Sequence, residues 1–153
     1  MLKKTIKYED YLGNVRTEDF YFNLSKMELA DMQMAVEGGF NVFLEKMVNA
    51  DNKKEVYNAF IEIVLAAYGE VSDDGRYFLK KDKDGNKLSD KFRQSPAYEI
   101  LMDEITENTA TIADFCKAVM PKAILDAANA NDGKFAPQDH KKPENLRAYD
   151  PNK

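Results

Sequence analysis

The sequence predicts an α+β fold, mostly helical, in which an N-terminal β-hairpin packs on a bundle of about five helices and a disordered C-terminal tail follows. Three observations carry that expectation. Apolar residues alternate over Lys3 to Tyr8 and Thr17 to Leu24, the two-residue period of half-buried strands. From Ser25 to Tyr68 and from Ser95 to Val119 they recur instead at three- and four-residue intervals, which lays them along sides of helices. From Asn131 onward the chain is rich in Pro, Asn and charge, with too little apolar surface to offset the entropy of ordering. Residues 1–130 are thus expected to form one domain and residues 131–153 a tail.

Each element has a local cause. Ile6 and Tyr8 share one face of the first strand, and "YLGN", with Gly13, supplies the turn. The second strand puts Phe20, Phe22 and Leu24 on one side and Tyr21 on the other. A lone two-stranded hairpin is marginal in water, so this aromatic face must cover another element. Ser25 and Glu28 have the spacing of a capping box: the serine oxygen accepts a first-turn N–H, and the glutamate returns to the serine N–H. The helix they open is expected to stop at Gly38-Gly39. Leu29, Met32 and Val36 fall on one side of it, with Met27, Ala30 and Met34 almost opposite. It therefore has two apolar sides, one more than a helix lying on a core requires.

Phe40, Phe43, Leu44, Met47 and Val48 predict a second helix over about 40 to 50. Asp51 is placed to cap a third, whose wide arc of Val56, Phe60, Ile61, Ile63, Val64 and Tyr68 marks the most buried helix, with Gly69 as its stop. Asp74-Gly75 and Asp84-Gly85 then punctuate a loop or a small second hairpin. Ser95-Pro96 starts another helix with proline at its first position, and Tyr98, Leu101, Met102 and Ile105 are its stripe. Asn108 or Thr109 caps the next, with Ile112, Phe115, Cys116 and Val119 inward, before Pro121 interrupts. "KAILDAA" is suited to one more short helix, and no internal repeat is evident.

Composition excludes several functions. A formal net charge of −5 opposes binding to nucleic acid, which requires a concentrated basic footprint. The single cysteine, Cys116, leaves no internal disulfide and no cysteine-built zinc site, and fits a reducing compartment. The basic start "MLKKTIKYEDY" lacks the apolar run of a signal peptide, and no stretch of about 18 apolar residues suggests a membrane span.

Catalytic and metal chemistry find little support. His140, the only histidine, lies in the expected tail, away from the held geometry that proton transfer needs. Cys116 occupies an inward helical position, where a thiol is structural rather than nucleophilic. "DKDGNKLSDKFR" has Asp82, Asp84 and Asn86 at the first three ligand positions of a calcium loop. Its sixth position is Lys87 and its twelfth Arg93, where glycine and glutamate are required, so a polar turn is expected. Glu99, Asp103 and Glu107 share a helix face, with Glu104 nearby, but that face lies away from the apolar stripe and should be solvated. No phosphate loop or nucleophile elbow occurs. The expectation is a binding protein with no catalytic residue, no metal and no cofactor. Tyr21, Met27 and Met34 are its candidate partner-binding residues, since adaptable methionines suit a contact surface. Burial of both helix sides within the fold is the competing explanation.

Three stretches together resemble a known family. An aromatic strand leads into a capped helix over Phe20 to Glu28, Tyr-Gly-Glu precedes an Asp-Gly turn within Tyr68 to Phe78, and Phe-x-Gln-Ser-x-Ala-Tyr runs from Phe92 to Tyr98. Over about residues 3 to 121 this resembles the small tail assembly chaperones of long-tailed phages and of prophages in Gram-positive bacteria. The resemblance implies a non-enzymatic protein that binds the tape measure protein, keeps it soluble and helps tail tube subunits polymerise around it. It also implies residence in the host cytoplasm, absence from the mature virion, and tape measure and tail tube proteins as partners, with self-association open. The alternatives are a head–tail adaptor or minor tail protein retained in the virion, and a small host-directed regulator. Deleting residues 131–153 should shift the thermal midpoint by less than about 5 °C, as calorimetry would measure.

Overall fold

The computed structural model describes residues 1–35 and 53–122. Strands β1 (Leu2–Glu9) and β2 (Val15–Phe22) pair antiparallel in one unbroken register, from Leu2 opposite Phe22 to Glu9 opposite Val15. Helices α1 (Lys26–Ala35) and α2 (Lys53–Ala67) come next. Strands β3 (Tyr68–Val71) and β4 (Phe78–Leu79) follow, then helices α3 (Leu88–Arg93), α4 (Pro96–Ile105) and α5 (Thr109–Val119). The fold is α+β, and among the described residues the sheet has four antiparallel strands in the order β1-β2-β3-β4. The expected hairpin is thus half of a larger sheet.

One correction explains the difference. The third expected helix does not run on to Tyr68 and stop at Gly69; α2 ends at Ala67, and Tyr68 begins β3. Asn23 N–H donates to Ala67 O at 2.8 Å, while Tyr21 lies opposite Gly69 and Phe22 opposite Tyr68. The edge of β2 captures the chain as soon as the helix releases it. Gly69 is needed for close approach, since a Cβ there would lie 2.5 Å from the Phe78 ring and 2.6 Å from the Leu79 carbonyl oxygen.

The loop-or-hairpin stretch resolves into both. β3 and β4 form a hairpin, Glu70 opposite Leu79 and Val71 opposite Phe78, and a further turn joins Lys81 to Lys87 by a lone bridge. That turn is built like the one between β1 and β2. Asp10-Tyr-Leu-Gly-Asn14 and Asp82-Lys-Asp-Gly-Asn86 share the pattern Asp-x-x-Gly-Asn, a short local repeat not anticipated above. In both, one aspartate oxygen accepts the N–H of the third and the fifth residue, each at 2.9 Å. The glycines have φ of +85° and +84°, a region open to glycine at little cost.

The local signals at the helix starts hold. Ser25 N–H donates to Glu28 Oε2 at 2.8 Å and Glu28 N–H to Ser25 Oγ at 3.1 Å, closing the capping box. Ser95 Oγ accepts from Tyr98 N–H and Asn108 Oδ1 from Thr111 N–H. Helix α3, by contrast, lies in a stretch read as polar turn, because its six residues are too short for a periodicity to show. It carries Phe92, whose ring stacks on Tyr68 at 4.2 Å and also meets Phe20, Phe22 and Tyr98. Phe22 is fully buried and meets Tyr68 and Phe115 as well. Phe60, Ile63, Val64 and Ala67 are all fully buried, so α2 has the deeply buried side its arc predicts.

The expected Gly38-Gly39 stop, the helix over 40 to 50, the Asp51 cap, the "KAILDAA" helix and the tail with His140 lie outside the described residues. Among the described residues no helix is long and apolar enough to cross a membrane. Gly69→Ala should lower stability by about 1–3 kcal/mol through overpacking, read from the urea midpoint. Adding Phe78→Ala should restore only part of that loss, because the Leu79 carbonyl stays in the way.

Candidate functional site

Two of the three candidate contact residues, Tyr21 and Met27, are described with their side chains. Tyr21 lies on β2 opposite Gly69 and is half-buried, with its side chain on the face away from Phe20 and Phe22. It lines a cleft of about 450 Å³ together with Glu18, Asp19, Gly69, Glu70 and Val71. Met27, in the first turn of α1, is 73% exposed and does not line that cleft. Met34 falls within α1, but its side chain lies outside the described part of the structure. Leu29 is fully buried and Met32 packs against the core, so the Leu29 side of α1 faces inward and Met27 faces water.

Other exposed apolar side chains were not singled out by sequence. Tyr11 is 80% and Leu12 87% exposed at the tip of the β1–β2 hairpin, followed by exposed Val15. The turn that presents them is firmly held. The Asp10 carboxylate accepts from Arg16 Nε at 2.6 Å as well as from the Leu12 and Asn14 N–H groups. Arg16 first, then the turn amides, lower its pKa to about 2. The matching turn at Asp82 has Lys83 and Asp84 at the same two positions. One frame thus displays two apolar residues and the other two charged ones. The signal for the first was in the sequence: a Tyr-Leu pair inside a turn pattern that has no core-facing position.

The negative expectations have physical counterparts. The Asp82 carboxylate is taken up by the N–H groups of its own turn and by Asn86 Nδ2 at 3.2 Å, which draws its pKa down. The calcium-like spacing is therefore the spacing of an Asp-x-x-Gly-Asn turn. Glu99, Asp103, Glu104 and Glu107 are exposed, and Glu104 pairs with Lys4 at 2.7 Å, linking α4 to β1. Cys116 is fully buried, and burial pushes its thiol from 9.0 to about 12, the reverse of what a nucleophile requires.

Lys80 is a polar tie that sequence reasoning missed. Its Nζ donates to Ala66 O at 2.5 Å and to Asn23 O at 2.8 Å, and pairs with Glu28 at 3.4 Å. It also lies 5.1 Å from the centre of the Phe78 ring. Burial lowers its pKa, and Glu28 partly offsets that. Lys80 satisfies a carbonyl in the last turn of α2 and one at the β2–α1 junction together, so its geometry is that of a staple. It borders a second cleft, of about 380 Å³, with Glu62, Lys81 and Lys87 also on its rim.

A family model described as phage tail assembly chaperone matches residues 1–152. The chain belongs to the phage tail assembly chaperone family. The match runs past Pro121, where the resemblance noted above stopped, and through the stretch expected to be a tail. No curated protein and no solved structure matches the chain. Family membership suggests interaction with tail proteins, and Tyr11, Leu12 and Met27 are apolar groups exposed in the way such contacts use.

In this chaperone-family chain the buried thiol makes stability sensitive to alkali. Cys116 has its pKa raised on folding, so its contribution is complete below pH 9 and is lost as the pH rises from 9.0 toward about 12. Between pH 9 and 10 the unfolding free energy should fall by up to about 1.4 kcal/mol per pH unit from this group. Cys116→Val should remove that portion, as denaturant titrations at each pH would show.

Proposed function

We propose that the chain is a non-enzymatic tail assembly chaperone that binds the tape measure protein. It keeps that protein soluble and assists tail tube subunits polymerising around it. The observation that carries this reading is the family match over residues 1–152. A long client awaiting its tube needs reversible apolar cover. Exposed Tyr11, Leu12 and Met27, with charged residues around them, are suited to supply it. The work is done in the host cell cytoplasm, and the chaperone leaves before the particle is complete.

Co-expression with the tape measure protein tests this directly. The chain should raise the soluble fraction of that protein and co-purify with it. The paired change Leu12→Ser and Met27→Ser should reduce co-purification several-fold, yet alter stability by less than about 1 kcal/mol, since both side chains are exposed. Leu29→Ala should do the opposite, costing about 2–5 kcal/mol because its side chain is core. Mass spectrometry of purified particles should find no copies of the chain. Abundant copies in mature tails would make it a structural tail component instead.

A further inference from the structure

Alternation along β2 sorts its backbone groups between two edges. Asp10 N–H donates to Asn14 O, and the register with β1 is unbroken, so Arg16, Glu18 and Phe20 turn their N–H and C=O toward β1. Asn23 N–H donates to Ala67 O and Tyr21 lies opposite Gly69, so the odd-numbered residues turn toward β3. Yet β3 meets β2 only at Tyr21 and Phe22. Val15, Thr17 and Asp19 therefore direct their backbone groups at an edge with no strand partner among the described residues, and all three are exposed.

The opposite wall of this slot is also polar backbone. Ser72 N–H donates to Tyr77 O and Glu70 lies opposite Leu79, so Glu70 turns its backbone to β4 and Val71 turns toward β2. Continued pairing would set Val71 opposite Asp19. The two strands part instead, and the cleft of about 450 Å³ beside Tyr21 lies between them. An open sheet edge offers its backbone N–H and C=O groups to any extended chain.

We propose that this slot takes one extended segment of a partner protein as an added strand, and that the segment carries Lys or Arg at alternate positions. Backbone bonding to Val15, Thr17 and Asp19 provides the contact, and charge provides the choice. The cleft beside Tyr21 is lined by Glu18, Asp19 and Glu70 and by no Lys or Arg, and Arg16, farther along the same edge, is paired with Asp10. The Glu18 carboxylate accepts from Tyr8 and that of Asp19 from Thr5 and Lys3. Among the described residues Glu70 has no ion-pair partner, so it is the acid that meets the incoming cation. The outer edge of β1 differs, because Lys3 and Lys7 stand on it, as edge lysines do where pairing is avoided. The identity of the partner as a tail protein rests on the chaperone reading; the slot and its ligand chemistry do not.

The purified full chain tests this without any tail protein, so its failure is separate from failure of tape measure binding. The probe is a capped, fluorescently labelled hexapeptide, Thr-Lys-Val-Lys-Val-Thr, titrated by polarisation. Thr17→Pro removes an N–H that β1 does not use, so the fold should survive, and peptide affinity should drop at least about tenfold. N-methylating the lysines or, separately, the valines should give unequal losses, because only one set of N–H groups faces β2. Should Thr17→Pro fail to fold, that inequality still decides the matter. Replacing the peptide lysines by glutamate, or Glu70→Lys in the chain, should also weaken binding about tenfold. Absence of binding, equal binding to Thr17→Pro, equal losses from both methylations, or indifference to charge reversal would each overturn the proposal. Self-association that Thr17→Pro abolishes would overturn it too, by making a second copy the occupant.

Discussion

The stacking of Phe92 on Tyr68 is the contact on which the rest of the fold depends. Their rings lie 4.2 Å apart and almost parallel, and the same Phe92 ring touches Phe20 and Phe22 of β2 and Tyr98 of α4. One side chain thus joins the hairpin, the third strand and the C-terminal helices. For Tyr68 to reach it, α2 must end at Ala67 and the chain must extend at once. That requirement makes β3 a strand, and β3 in turn creates the sheet. Aromatic pairs add about 0.5–1.5 kcal/mol each beyond the area they bury, so a cluster with this many contacts dominates the local energetics.

Charged and polar groups then hold what the aromatic core brings together. Lys80 reaches from the end of β4 to carbonyls of α2 and of the β2–α1 junction, and to Glu28 in the capping box of α1. Leu24 N–H donates to Val119 O, tying the same junction to the end of α5. The segment between Phe22 and Lys26 is therefore clamped from several directions, although it has no regular structure of its own. Met27, just beyond it, is therefore displayed on a fixed support. The Asp10 turn does the same for Tyr11 and Leu12. Holding apolar groups rigidly in water lowers the ordering cost of a later contact.

The exposed surface also shows where pairing is discouraged and where it is left open. Lys3 and Lys7 stand on the outer edge of β1, and Lys4 pairs with Glu104 of α4. β2 has no lysine between Val15 and Asp19, and its Arg16 is paired with Asp10.

Local chemistry was legible in the sequence wherever neighbours in the chain supply the partners. Ser25 with Glu28, Ser95 with Pro96, and Asn108 specified helix starts because each cap bonds within three residues. Phe20, Phe22 and Ile6 showed their inward face because side chains alternate along a strand regardless of what covers them. The Leu29 and Met27 sides of α1 were both apparent, but periodicity does not say which is inward. The third strand, the brief α3 and the reach of Lys80 were not legible, and the second hairpin was left open between loop and strand. Tyr68 completes an apolar helical arc when read alone, and it begins a strand only because β2 and Phe92, far away in the chain, offer stronger partners. The sequence by itself determined the caps, the turns and the apolar faces, whose energies are settled within a few residues. The tertiary structure alone decided where α2 stops and how far β3 runs along β2, because those outcomes depend on contacts between distant segments.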